Sequence, residues 1–520
     1  MIKHILPFLF LLAPAFAAQD CPSLAKLELE GTTIARAEAV PAGGAVEGVK
    51  TWPGLRAFCR VAGSIKPSSD SNIQFELWMP QPGWNGRFFG AGNGGFAGSI
   101  SYAQMQAALA RGFAVASTDT GHHAGVADAS WALGHPEKVV DFGYRAIHLM
   151  TLDAKTILHV FYGDAPAHSY FSSCSNGGRQ ALMEAQRFPE DYDGIIAGAP
   201  GNYWTHLLAN SAWDLQATLG SPDSYISSKK LPAIQAAALA ACDAADGLKD
   251  GIIEDPSRCH FDPSVLACLG PETDSCLTAP QLTALKKLYA GAHFAGGKQV
   301  FPGYEPGGEA ELGGWQLWIT GPAPARSAWF GFGAQFFKNM MFEDPAWDFH
   351  SFDINRDTKA VDAKLARILN ATDPDLSRFR ARGGKLILYH GWNDAASVPR
   401  STIDYYNSVV AKAGSAEARG FVGLFMVPGM QHCYGGSAPN SFGQFGAGSG
   451  DAERDMFDAI ERWVEQGIAP ERIIATKRKN DLDPRSEPLG TRPLCAYPSV
   501  ARYKGTGSTD DAANYACVAP

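Results

Sequence analysis

Three segments of the 520-residue chain carry residues whose types and spacing fit acyl transfer. The first, HSYFSSCSNGGRQALMEAQRFP, sets Ser175 between an apolar run ending at Cys174 and a stretch in which Ala181, Leu182 and Ala185 have buried-helix spacing. A serine on such a strand-to-helix turn presents its hydroxyl as a nucleophile. The turn needs small neighbours, usually Gly-x-Ser-x-Gly; here Ser173 replaces the first glycine, and Gly177 and Gly178 follow. The second segment, KLILYHGWNDAASVP, runs from a hydrophobic stretch into a loop bearing Asp394; the third, GLFMVPGMQHCYGG, runs into a loop bearing His432. In that order His432 would take the Ser175 proton during attack and return it to a leaving alcohol, while Asp394 fixes the imidazole tautomer and stabilises its cation. The backbone N–H of Asn176, at the helix start, would meet the developing oxyanion. A second donor is expected from the run GAGNGGFAG, at Gly94 or Gly95.

Each residue also has a plainer use. Gly-rich strand-to-helix turns bind phosphate, an aspartate after Asn393 can cap a helix, and loop histidines are often solvated. His390, His122 and His123 are other candidates for the base, but all precede Asp394. Cys174 is a second candidate nucleophile, which would make a thiol enzyme.

These groups need a frame. Apolar runs at 87–90, 113–118, 169–174, 194–198, 385–389 and 422–427 end at turns, as buried parallel strands do, and 141–160 and 178–187 read as helices. Strands alternating with helices imply an α/β fold with a mostly parallel sheet covered on both faces. With the Ser, Asp, His chain order, this is the α/β-hydrolase core. Residues 202–372 differ in texture, being rich in Gly, Pro, Trp and Phe with four cysteines and few strand-like runs. They read as an inserted lid domain over a catalytic domain formed by 19–201 and 373–520. The stretch 439–450 reads as a mobile loop.

Residues 1–18 have the layout of a cleaved signal: Lys3, an apolar run over 5–12, and the small-residue site Ala15-Phe16-Ala17. A secreted or periplasmic location follows. No run reaches the roughly 18 apolar residues of a membrane helix, so a membrane is not an expected partner. Export makes the ten cysteines readable as five bridges, whose pairing the spacing alone leaves open. A net charge of −9 without a Lys/Arg cluster excludes a nucleic-acid footprint.

The pairing of Cys174 with Ser175 and of His432 with Cys433, around Asp394, resembles the tannase and feruloyl esterase family, over nearly all the mature chain from Cys21 and Cys59 to Cys495 and Cys517. The resemblance implies a Cys174–Cys433 bridge between the nucleophile and base loops, with Cys21–Cys59, Cys242–Cys259, Cys268–Cys276 and Cys495–Cys517 as the other pairs. In CDAADGLKDGIIEDP, the carboxylates of Asp243, Asp246 and Asp250 by themselves suit Ca²⁺, although a solvated acidic turn would look the same and the spacing is not that of an EF-hand. The resemblance implies a structural Ca²⁺ in the lid, held by those side chains and the carbonyls of Leu248 and Ile252.

Members of the family cleave esters of aromatic acids. Feruloyl or related hydroxycinnamoyl esters are the first expected substrates, galloyl esters the second, and mono(2-hydroxyethyl) terephthalate, cleaved by one relative, the third. Trp315, Trp318, Trp329, Phe330, Phe332, Phe336, Phe337 and Trp347 could stack on such an acyl group or simply form lid core. A different class is an exported binding protein on the same fold; oligomeric state is not readable.

Overall fold

The computed structural model of the protein describes residues 20–446, 450–481, 483 and 485–520. The expected export signal and part of the expected loop at 439–450 lie outside the described residues. In chain order the strands are β1 (Thr32–Val40), β2 (Phe58–Ile65), β3 (Ile73–Pro80), β4 (Arg87–Ala91), β5 (Ala114–Thr118), β6 (His168–Cys174), β7 (Gly194–Gly198), β8 (Ala292–His293), β9 (Gln299–Phe301), β10 (Lys385–Gly391), β11 (Val422–Val427), β12 (Arg472–Arg478), β13 (Pro488–Cys495), β14 (Val500–Tyr503) and β15 (Tyr515–Val518).

Nine of them form one sheet in the order β1-β2-β3-β5-β4-β6-β7-β10-β11. From β5 to β11 the neighbours run parallel, whereas β1, β2, β3 and β5 pair antiparallel. The parallel strands are short apolar runs because both of their faces are covered. Successive side chains point to opposite faces. Phe88, Phe171, Ile195 and Leu388 thus pack under the helices Ala146–Tyr162, Asn176–Arg187 and Pro399–Ala413. Phe89, Tyr170, Ile196 and Ile387 pack under Tyr102–Ala110 and Met456–Gln466. Burying each such side chain contributes about 1.5–3 kcal/mol.

Residues between β7 and β10 build a helical layer that includes Trp204–Leu219, Leu231–Cys242, Ala279–Ala290 and Ala328–Gln335, with the β8–β9 hairpin. Its apolar core, around Ile234, Leu285, Trp315, Phe336 and Phe337, is continuous with Phe96, Phe142, Ala395 and Val398 of the sheet domain. The hairpins β12–β13 and β14–β15 follow β11. The disulfides are Cys21–Cys59, Cys174–Cys433, Cys242–Cys259, Cys268–Cys276 and Cys495–Cys517, the pairs that the resemblance implies. No helix among the described residues is long and apolar enough to cross a membrane.

Candidate active site

Ser175 stands between the end of β6 and the start of the helix Asn176–Arg187, at φ 67° and ψ −126°. A non-glycine residue there costs on the order of 1–3 kcal/mol, so the surroundings must hold it. Its N–H donates to Gly198 O at 2.9 Å, and its carbonyl accepts from Arg179 and Gly201 at 3.1 and 3.3 Å. The two following glycines are required by contact. A Cβ on Gly177 would lie 1.9 Å from Ser173 Oγ, and one on Gly178 would lie 2.3 Å from Gly198 O.

The loop after β11 brings His432 Nε2 to 2.9 Å from Ser175 Oγ, and His432 Nδ1 to 2.7 Å from Asp394 Oδ2 in the loop after β10. A carboxylate only accepts, so Nδ1 carries the proton and Nε2 is left to accept from the serine hydroxyl. Asp394 is buried; its Oδ1 accepts from the N–H groups of Ala396 and Ser397 at 2.7 and 2.9 Å. Burial alone would raise this carboxyl, but the charge of His432 and hydrogen bonds from His390 and His432 outweigh it and hold Asp394 well below the usual carboxylate range. The Cys174–Cys433 bond joins the residue before Ser175 to the residue after His432.

After β4, the chain passes Ser175 as a glycine-rich loop. Asn93 anchors it, accepting from Gln180 Nε2 at 3.1 Å and donating to Ser99 O and Thr118 O at 2.8 Å each. Among the described residues, the N–H groups of Gly94, Gly95 and Asn176 meet no protein acceptor, and Gly94 and Gly95 line the same cleft as Ser175. Donors left free beside a serine hydroxyl bonded to an imidazole are suited to meet a developing oxyanion. Gly95 sits at φ 56°, where a Cβ would strike Val126 O at 2.2 Å.

The cleft has a volume of about 1310 Å³. Ser175 and His432 lie in it, facing Trp204, Leu207, Leu208, Trp318, Trp329 and Phe332 of the helical layer. Trp318 presents a ring to His432 at 5.4 Å and 76°, and lies nearly parallel to Phe332 at 5.9 Å and 23°. Trp329 Nε1 donates to Ala395 O at 3.2 Å, fastening this wall to the Asp394 loop. Of the other aromatic side chains singled out from sequence, Trp315, Phe336, Phe337 and Trp347 are buried in the layer's own core, and Phe330 packs on Phe349.

The competing candidates are placed elsewhere. His123 is exposed. His122 stacks on Trp131 at 3.7 Å and donates to Phe96 O, with burial pushing its pKa down to about 4. His390 lies beneath Asp394 rather than beside Ser175. Cys174 is half of a disulfide and has no thiol to offer.

Sequence reasoning missed Trp204, Glu311 and the part played by His390. Glu311 Oε2 accepts from Gln431 at 2.9 Å and Asn393 at 3.2 Å, the residues immediately before His432 and Asp394. Polar residues adjoining the base and the acid were the available signal.

In the helical layer, Asp243, Asp246 and Asp250 share the loop closed by Cys242–Cys259. Asp243 accepts from Gly251 N–H at 3.0 Å through Oδ2, while Oδ1 is buried without a partner. Burial and the neighbouring charges of Asp250 and Asp243 push Asp246 up. The orphaned Asp243 oxygen and the type of these donors suit a calcium ion, while Asp250 Oδ2 is held by Arg492 at 3.1 Å. Among the described residues, the group whose possible ligand atoms lie within 4.8 Å of one another is His148, Glu184 and Asp191. Burial and the neighbouring Asp191 push Glu184 up, and Lys155 Nζ donates to the Asp191 carbonyl.

A sequence profile described as tannase and feruloyl esterase matches residues 59–518. An uncharacterized esterase of Xanthomonas campestris is 46% identical over 98% of this chain and 92% of its own. The mono(2-hydroxyethyl) terephthalate hydrolase of Piscinibacter sakaiensis is 35% identical over 90% of this chain and 85% of its own. Feruloyl esterase B from Aspergillus oryzae has a solved structure that matches with a TM-score of 0.88 at 29% identity, covering 96% of this chain and 99% of that one. A profile spanning most of the chain and relatives of this identity along nearly its whole length make it a member of the tannase and feruloyl esterase family, and hence a carboxylic ester hydrolase.

Proposed function

We propose that the protein hydrolyses esters of aromatic acids through an acyl-enzyme on Ser175, with feruloyl and related hydroxycinnamoyl esters as the first substrates. The observation that carries this reading is the unbroken relay from Ser175 Oγ through His432 to Asp394, at 2.9 and 2.7 Å, opening into an aromatic-walled cleft. His432 Nε2 takes the serine proton as Oγ attacks the ester carbon, and Asp394 stabilises the imidazolium. The carbonyl oxygen, now negative, is met by the N–H of Asn176 and of Gly94 or Gly95. His432 then protonates the leaving alcohol, and water repeats the cycle on the acyl group. A flat acyl ring fits against Trp318 and Phe332 by offset or edge contacts.

Galloyl esters stand second and terephthalate monoesters third, the latter after the activity for which the Piscinibacter sakaiensis relative is named. Residues 202–372 act as a lid that forms one wall of the cleft. Asp243, Asp246 and Asp250, with the carbonyls of Leu248 and Ile252, would hold a Ca²⁺ that crosslinks the lid loop away from the chemistry. Five disulfides and the signal-like residues 1–18 support export.

Hydrolysis of methyl ferulate, methyl gallate and mono(2-hydroxyethyl) terephthalate by the mature protein, beside Ser175→Ala, tests the reading. Turnover of ferulate above the others, absent in the variant, is expected. Preference for another ester reorders the substrates, and activity that survives in the variant removes Ser175 from its role.

A further inference from the structure

Asp394 serves two histidines, and only one of them reaches the serine. His390, fully buried at the end of β10, places Nε2 3.1 Å from Asp394 Oδ2 and 2.7 Å from the carbonyl oxygen of Ser397. A carbonyl only accepts, so Nε2 carries a hydrogen, shared between Ser397 O and the carboxylate. Nδ1 lies 2.8 Å from the hydroxyl of Thr402, buried in the first turn of the helix Pro399–Ala413. That hydroxyl has no other protein partner among the described residues, so it is free to donate to Nδ1 and support the Nε2–H tautomer. The same Asp394 Oδ2 accepts from His432 Nδ1 on its other side.

We infer that His390 is a positioning residue for the reaction: it fixes Asp394 Oδ2 on the line to His432 and draws off part of the negative charge that Oδ2 would otherwise direct at the base. The inference rests on the Ser175–His432–Asp394 reading and goes beyond it. Two consequences can be separated. Geometrically, the backbone N–H groups of Ala396 and Ser397 hold Oδ1 only, so His390 is the fixed donor that stops the carboxylate from turning about that anchor. Electrostatically, an acceptor oxygen shared between two donors stabilises each of them less. Without His390 the whole charge of Oδ2 acts on His432, the imidazolium is favoured, and a higher pH is needed to free the base.

The other groups around the pair do not confuse this expectation. Tyr304 is pushed up chiefly by burial and then by Asp214, and Tyr389 by burial and the charge of Asp394, so both stay neutral. Glu311 approaches from the lid but is bonded to Gln431 and Asn393 rather than to either imidazole. Among the described residues Ser175 is the other hydrogen-bond partner of His432; of the charged groups that share its cleft, Lys477 is bonded to Asp481 and to the Gly436 carbonyl and not to His432.

The test compares the pH dependence of kcat/KM for wild type, His390→Leu and His390→Gln, using whichever aromatic ester the wild type turns over. Gln keeps a donor near the Nε2 position, whereas Leu keeps only bulk. His390→Leu is expected to lose about tenfold in kcat/KM at the optimum and to move the acid limb up by roughly half a pH unit or more. His390→Gln is expected to restore the limb to its wild-type position. An acid limb that stays put in folded His390→Leu, or that moves equally in both variants, assigns His390 to packing and overturns the inference.

A second measurement does not depend on any variant folding. Histidine ¹⁵N spectra of the wild-type protein should show the His390 ring hydrogen on Nε2; a His390 that carries its hydrogen on Nδ1 instead overturns the inference. Ser175→Ala in the same assay keeps the two readings apart. Activity surviving that substitution rejects the triad itself, whereas an inactive Ser175→Ala beside an unmoved limb rejects only the role of His390.

Discussion

Two aspartates, each 2% exposed, have opposite fates. Asp394, on the sheet side, is met by two backbone N–H groups and two imidazoles and is held well below the usual carboxylate range. Asp214, in the lid helix Trp204–Leu219, is pushed up to about 8 by burial. It accepts from Tyr304 at 2.7 Å and Asn210 at 2.9 Å, both through Oδ2, and leaves Oδ1 unpaired. Depth is the same; the number of donors, and whether one is a cation, decides which carboxyl stays ionised. At these two positions, therefore, the sheet side holds a charge and the helical layer a carboxyl pushed towards its neutral form.

The comparison breaks most sharply at Asp394. Asp394→Asn keeps the shape but not the charge, and its amide presents the wrong tautomer to His432; kcat is expected to fall about 10⁴-fold, with Tm close to wild type. An unchanged kcat would mean that the charge is not used. Next comes the joint between the regions. Glu311→Gln should lower kcat/KM about tenfold, because one lid carboxylate holds the residues before both the acid and the base; an effect on Tm alone would make the joint purely structural.

Smaller effects belong to the lid. Stripping the protein with a calcium chelator should lower Tm by a few degrees, reversed by added Ca²⁺, while kcat below the transition is unchanged. Asp243→Ala should abolish that response. The smallest effect is at Asp214, whose folded pKa lies above its unfolded value. The neutral form therefore adds stability that is complete below about pH 4 and is lost progressively as pH rises towards 8. Wild-type Tm should decline over that window, and Asp214→Asn should remove part of the slope without altering kcat. Asp394 has the reverse sign: its contribution is present above about pH 4 and lost only in stronger acid.

Legibility in the sequence followed the same division. The parallel strands were readable because runs such as AVAST and GIIAG are buried on both faces. The antiparallel strands β1, β2 and β3 were not, since Arg36, Glu38, Arg60 and Glu76 interrupt them with charge. In the fold, Arg60 and Glu76 pair at 2.6 Å inside the sheet, and Trp78 donates to Glu76 at 2.7 Å, which hides what looked solvent-facing. β12 and β13 carry Lys477, Arg478 and Arg492, and went unread for the same reason. Arg492 in fact reaches Asp250 of the lid loop at 3.1 Å. Ser175, Asp394 and His432 stood out because each follows an apolar strand. Trp204, Glu311 and His390 acquire meaning only when the lid and the Asp394 loop are brought against the sheet, a contact that no local pattern announces.

The bond between Cys174 and Cys433 also carries information about time. A ribosome makes the chain from one end, and the helical layer between β7 and β10 is written between these two cysteines, which are 259 positions apart. The tether can close only after that whole layer has been synthesised and only where thiols can be oxidised. A nascent or truncated chain that already displays Ser175 has no partner for Cys174 from the base loop. The crosslink thus marks a finished product: the serine and histidine loops are tied together only in molecules in which the helical layer has already been made.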